Sequence, residues 1–441
     1  MRNVVGAIIL AVGCGTALHA DFLDKKATQW HQWRGPNGTG YAPDANPPTK
    51  WDENTNIRWK APLVGRGSAT PIVWENQVIV LTAVETDKIA DKLPPADPRF
   101  QTRTERPNRY YQFIVFSFDR QTGKQLWKTI VAEAVPHEGC HATHSYAAGS
   151  PTTDGTRIYA CFGSQGIFAL DFSGKVLWKQ NLGQLHTRLG WGEAVTPVYH
   201  KDSLYLNWDQ EADSKLYCLD AATGKTRWVV DRDEKSSWNT PLLVNHNETT
   251  QVVLNGTTRI RGYHAESGKL IWECPGMTTN AIPSPVADDK WIYVMSGYRG
   301  AAAVAIPIDA KGNVAKSQLG WSYDKATPYV PSPLLVNNRL YFSQTTQPVF
   351  SSLDTTTGKP VIDRERLPSA TSFYASPAAS KSHIYYPDRT GTTVVLKLGD
   401  QFDVVSVNTL KDELDASPVL LGKTLFLRGH KNLYCIEETS K

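Results

Sequence analysis

Between residues 137 and 151 the chain reads "HEGCHATHSYAAGSP", bringing His137, Cys140, His141 and His144 within eight positions. Imidazole nitrogens and a thiolate are ligands for zinc and its neighbours, and steps of four and three would align the histidines if the stretch were helical. A catalytic cluster and a binding loop are the alternatives. Nucleophilic catalysis has little to work with, because no G-x-S-x-G elbow occurs and no Ser or Cys other than Cys140 is an assignable partner for these histidines. Gly-rich phosphate loops are absent as well.

The elements that must position these side chains emerge from an internal repeat. A Thr-Pro or Ser-Pro pair opens a short apolar run at Thr70, Ser150, Thr196, Thr240, Ser284, Ser332, Ser376 and Ser417, and six of the seven intervals lie between 41 and 48 residues. That period is the signature of a β-propeller. Each unit continues with strands such as "RIYACFG" and "GIFALD", then a turn and a fourth strand ending in Trp, as in "DFSGKVLW" and "DAATGKTRW". Asp or Ser bonds back to the local backbone in that turn, and Gly takes the positive φ it demands. The recurring Trp127, Trp178, Trp228, Trp272 and Trp321 suit large flat rings docking between blades.

Eight openings predict an all-β, eight-bladed propeller of four-stranded antiparallel blades, a single domain over 21–441. The longer first interval places an insertion in blade one at about 85–108. The last unit stops after three strands, and "NIRWKAPL", with Trp59 in the repeated position, is expected to close the ring as its fourth. Ser150-Pro151 then opens blade two, so the three histidines lie on an inter-blade linker and not on a helix. They read first as a binding-loop cluster, with a metal site at His137, His141 and His144 as the weaker alternative.

Propeller geometry gathers the inter-blade linkers and the second-to-third strand loops on one face, where function concentrates. The linkers supply Arg66, the three histidines, Arg188, Trp191, Glu193, Trp238, Tyr329, Tyr374 and Asp415. The loops supply Asn207, Asp209, Glu211, Asn255, Arg299, Gln344, Asp388, Arg389, Arg428 and His430. Acids, arginines, histidines and aromatics converging on one funnel suit a polar ligand such as a sugar, a peptide or a small anion. Many of them can equally serve to satisfy buried hydrogen bonds near the crowded axis.

A net charge of +4 carries no concentrated basic footprint, which argues against a nucleic-acid partner. The local exception, Arg99, Arg103, Arg106 and Arg109 with Glu105, reads as a solvated lip. Arg2 followed by the apolar run Val4 to Gly13 reads as an export signal, too short to span a bilayer, with cleavage after Ala20 or lipidation at Cys14 in a Leu10 to Cys14 lipobox. Export to the periplasm or cell envelope follows. The remaining Cys140, Cys161, Cys218, Cys274 and Cys435 are too sparse for a disulfide framework.

The repeat grammar resembles that of the PQQ-like propeller superfamily, which holds the quinoprotein alcohol dehydrogenases and the BamB-type lipoproteins of outer-membrane assembly. More narrowly, "LGWGEAVTP", "DRDEKSSWNTPL", "YVMSGYRG", "TPYVPSPL" and "DASPVLLGKTLFLRGHKNLYCI" are similar to exported bacterial PQQ-like repeat proteins of unsettled activity. The resemblance implies PQQ with calcium as a cofactor to consider, with Glu193, Asn255 and Asp209 as calcium ligands and Trp238 as a stacking floor. Against it, the vicinal cysteine pair typical of the quinoprotein dehydrogenases is missing here. The expectation is an exported, non-catalytic binding or scaffold protein that engages an envelope protein, peptide or glycan on its funnel face. The alternative is a PQQ-dependent or metal-dependent enzyme, such as a quinoprotein-like oxidoreductase, using the same funnel.

Overall fold

The computed structural model describes residues 22–93 and 97–438; the export signal, Ala20 and Cys14 lie outside them. Eight antiparallel sheets surround a central axis, each running from an inner strand outward in chain order. Blade one is Ile72–Trp74, Gln77–Ile89, Arg109–Asp119 and Gln125–Ala134, and blade two is Thr152–Thr153, Arg157–Cys161, Ile167–Asp171 and Val176–Gln180. The inner strands of blades three to eight begin at Val198, Leu242, Val286, Leu334, Ala378 and Val419. Blade four gains a fifth, parallel strand, Gly312–Asn313, from the long third connection of blade five.

The ring closes as the sequence implies. Ile57–Pro62 pairs antiparallel with Asn432–Ile436, so blade eight combines both ends of the described chain. Between blades lie apolar clusters, and the one spanning blades seven, eight and one holds Trp30, Trp51 and Trp59. The fourth-strand tryptophans do what their recurrence suggests. The indole N–H groups of Trp59, Trp127, Trp178, Trp228 and Trp321 donate to Arg120, Phe172, Ala221, Ala265 and Thr355 carbonyls in the third turn of the next blade, at 2.8–3.1 Å. The turn glycine is pressed against the same ring. A Cβ on Gly224, where φ is +73°, would lie 2.6 Å from Trp178. Trp272 differs: blade five has no such turn, and this indole bonds Gln251 of its own blade at 2.7 Å.

The residues before Ile57 line the free inner edges. Trp30 exchanges backbone hydrogen bonds with Val73 of blade one, and His31 accepts the Thr153 amide of blade two. Arg34 Nη2 donates to the carbonyls of Thr39 and of Pro333, just before blade six, at 2.6 Å each. Gly40 and Ala42 then pair with Ala379 of blade seven, and Asn46 donates to Gly422 of blade eight. An extended segment thus crosses the bore and meets strand edges that would otherwise be unpaired.

The blade-one insertion lengthens a hairpin, and its described residues beyond the strands, 90–93 and 97–108, form a loop. That loop folds onto the blade two–three linker, where Arg103 N donates to Leu189 and Thr104 Oγ1 to Gly190. Arg99 faces solvent as expected of a lip, but Arg106 does not: half-buried, it donates to the His137 carbonyl at 3.2 Å.

Candidate functional site on the propeller axis

The Ser and Thr residues that mark the repeat have a job the sequence does not reveal. The amide of Thr70 donates to Ser150 Oγ, that of Ser150 to Thr196 Oγ1, and that of Thr240 to Ser284 Oγ. The same link runs from Ser284 to Ser332, Ser376, Ser417 and back to Thr70, all at 2.8–3.0 Å. Seven blade-to-blade links therefore form a circle of one polarity, and only the step from Thr196 to Thr240 has no such bond among the described residues. Pro follows each hydroxyl residue at no cost, since its missing N–H is not needed there.

Above this hydroxyl circle the axis opens into a cavity of about 410 Å³, with Trp33 of the crossing segment as its floor. Its walls combine Trp and Tyr rings with Ser and Thr hydroxyls. Trp191, Tyr298 and Tyr329 form an arc, Tyr298 stacking on Tyr329 at 4.7 Å and meeting Trp191 edge to face at 6.3 Å. Trp238 is fixed by its indole N–H donating to Gly192 at 2.8 Å, and Tyr374 shares a hydrogen bond with Thr143 at 3.0 Å. His141 Nδ1 lies 2.8 Å from Thr143 Oγ1, and His144 Nε2 lies 3.0 Å from the Glu193 carbonyl. Burial pushes the His144 imidazole below its ordinary value, which favours the neutral ring.

Of the residues expected in the funnel, His141, His144, Trp191, Trp238, Tyr329, Tyr374 and Asp415 line this cavity. His137 does not join the other two histidines. It turns beneath the 90–108 loop toward Glu138 and His186, and no group of three metal-ligating side chains among the described residues contains His141 or His144. The histidine triad suggested by spacing is thereby split, because the linker is an irregular chain with a turn at His141 to His144.

Other polar candidates brace neighbouring loops. Asp209 is paired with Arg232 at 2.7 Å in a fully enclosed ion pair, with Ser237 as a further donor. Asn207 donates to Ser237 and Asn239, and Asn255 to the carbonyls of Pro283 and Met295. Asp388 accepts the amides of Thr371 and Thr390, while Arg428 donates to Ala69. Glu193 accepts from the Ser164 amide and hydroxyl, and burial pushes its carboxyl up to about 8. Arg188 and Arg299 lie over the rings of Trp191 and Tyr298.

Asp415 is the one carboxylate of the cavity wall, and it is engaged by Arg389 Nε at 2.7 Å and His430 Nε2 at 2.9 Å. Arg389 also rests 4.0 Å above the Tyr374 ring. The lining side chains include no Lys or Arg. PQQ carries three carboxylates and its calcium requires several oxygen ligands. Glu193 is tied to Ser164 and Asp209 to Arg232, and neither they nor the enclosed Asn255 line the cavity, so the residues present do not fit a calcium-bound quinone there. Trp33, Thr143, Tyr298 and the hydroxyl circle were not singled out in the sequence; only the repeated Ser/Thr before Pro offered a signal.

The family model described as outer membrane protein assembly factor BamB matches residues 112–361 and again 256–441. A BamB of Yersinia pestis is 25% identical over 169 residues, 36% of this chain and 38% of that one. A polyvinylalcohol dehydrogenase of Pseudomonas sp is 27% identical over 164 residues, 29% of this chain and 26% of that one. The chain thus spans well under two thirds of either relative's length. The crystal structure of quinohemoprotein alcohol dehydrogenase from Comamonas testosteroni superposes with a TM-score of 0.64 at 11% identity, covering 98% of this chain and 85% of that one, a likeness of fold alone. With the family model matched from the blade-one hairpin to the end of the chain, this protein belongs to the BamB-type family of PQQ-like propeller repeats.

Proposed function

We propose that this propeller is a non-catalytic binding protein of the periplasm or cell envelope that takes the end of a neutral glycan into its axial cavity. The observation that carries the reading is the cavity itself: about 410 Å³ walled by Trp33, Trp191, Trp238, Tyr298, Tyr329 and Tyr374 over a circle of hydroxyls, with its one carboxylate already paired. Aromatic faces stack on the C–H faces of a sugar ring, and the Ser and Thr hydroxyls offer hydrogen bonds to its oxygens. A strongly anionic ligand would find no cationic side chain on the lining. The apolar run Val4 to Gly13 and the family membership support the envelope location.

The test is a calorimetric and tryptophan-fluorescence titration against neutral oligosaccharides, uronic-acid oligosaccharides and peptides. Saturable binding of a neutral glycan is expected, weakened at least about tenfold, or roughly 1.4 kcal/mol, by Trp191→Ala and by Trp238→Ala. Retention of peptides alone, affinity that survives both substitutions, or uptake of PQQ with calcium as a bound chromophore would overturn it.

A further inference from the structure

Outside the cavity, the linker carrying His137 and Glu138 meets the linker carrying His186 beneath the 90–108 loop. One ligand atom from each of the three lies within 4.8 Å of the other two. Glu138 Oε1 is 2.8 Å from His186 Nδ1, and Glu138 Oε2 accepts the Thr187 amide at 3.2 Å. Phe100 of the loop stacks on the His186 ring at 4.4 Å and covers it. His137 is 7% exposed, with its ring 5.1 Å from that of His186 and edge to face. Its Nδ1 lies 3.8 Å from Glu193 Oε1, and its Nε2 is enclosed without any hydrogen-bond partner.

A bond between Glu138 and His186 would by itself pin the two linkers, yet it leaves His137 Nε2 unmet. Two imidazoles and a carboxylate enclosed together form a donor set suited to a divalent transition ion and poorly suited to calcium or magnesium, which prefer oxygen throughout. We propose that His137, Glu138 and His186 bind one divalent transition-metal ion, with zinc as the probe. Zinc bonds of roughly 2.0–2.1 Å set tetrahedral ligands about 3.4 Å apart, so the three side chains need only small rotations to close around the ion. Three protein ligands leave one position open, while Glu193 lies 3.8 Å from His137 Nδ1, on the nitrogen facing away from Nε2, where it can orient the ring. Arg106, which donates to the His137 carbonyl, brings a positive charge that lowers the affinity. None of the three ligands lines the cavity, so the inference stands apart from the glycan reading.

The experiment uses the full chain purified without a polyhistidine tag, stripped with a chelator and titrated with zinc chloride by calorimetry and chromophore competition. One ion per chain is expected, with nitrogen and oxygen but no sulfur in its X-ray absorption spectrum, and no comparable binding of calcium chloride. Glu138→Gln and His186→Ala should each weaken zinc at least tenfold, whereas the double variant His141→Ala/His144→Ala should not. Zinc should also slow tryptic cleavage after Arg99 and Arg103 in the 90–108 loop. Circular dichroism of the zinc-free variants identifies any that fail to fold, and the near-isosteric Glu138→Gln keeps the test decisive if His186→Ala does. No saturation at tens of micromolar zinc, sulfur ligation by Cys140, or affinity that survives both single substitutions would overturn the site.

Discussion

Asp415 stands at the cavity wall with Arg389 on one side and His430 on the other. Burial alone would raise its carboxyl, but the hydrogen bonds from His430 and Arg389 outweigh that and hold it below the usual carboxylate range. A carboxylate depressed on folding adds stability above its unfolded value near 3.9 and loses it as pH falls through the folded value. Asp415→Asn should therefore cost about 2 kcal/mol at pH 7, where it leaves a half-buried guanidinium without its partner, and the gap to the native chain should narrow as pH falls below the ordinary carboxylate range. Urea unfolding at pH 7 and below that range checks both. At this scale the sequence was a partial guide. Residue type marked Asp415, Trp191 and Trp238, but Asp209, Asn255 and Asp388 are chemically indistinguishable from binding groups until their loop partners are seen.

The blade is the element on which the fold depends, and its contact with the next is carried by a ring and a glycine. Gly224→Ala would place a methyl group 2.6 Å from the Trp178 indole at a φ of +73°, whereas Gly422→Ala meets nothing within 4 Å at a φ of +59°. The second should cost about 1 kcal/mol from the left-handed backbone alone, and the first about 3 kcal/mol once the clash is added. Chemical denaturation of the two variants separates backbone strain from lost docking. This level was the most legible one, because the Ser/Thr-Pro openings, the Gly turns and the tryptophans repeat at a period that only radial packing explains. Trp272 shows the limit of that legibility. Its place in the pattern is regular, but its partner depends on a neighbour that lacks the turn.

The whole molecule is held by its two ends. Removing residues 22–62 would strip Ile57–Pro62 from Asn432–Ile436 and expose a strand edge in blade eight, so limited proteolysis should cut that variant rapidly and gel filtration should show association. Removing only 22–45 keeps the closing strand but takes Trp33 from the cavity floor; that variant should still resist proteolysis more than the longer truncation while losing glycan affinity. Closure by "NIRWKAPL" was readable because an incomplete last unit needs a strand and the first unit has one to spare. The path of residues 29–46 across the bore was not, since it follows no repeat and pairs with edges that only the assembled ring creates.

The hydroxyl circle behaves mechanically as a split washer. Seven joints are tied in one rotational sense, while the joint between Thr196 and Thr240 is spanned instead by the Trp238 indole reaching Gly192. The same joint is also tied by Asn207 donating to Asn239, so the two tryptophans that would grip a guest, Trp191 and Trp238, stand where side chains replace the hydroxyl link. Widening for a bulky guest would then work first against these side-chain ties, which a rotamer change can release, and not against the seven hydroxyl links of the other joints.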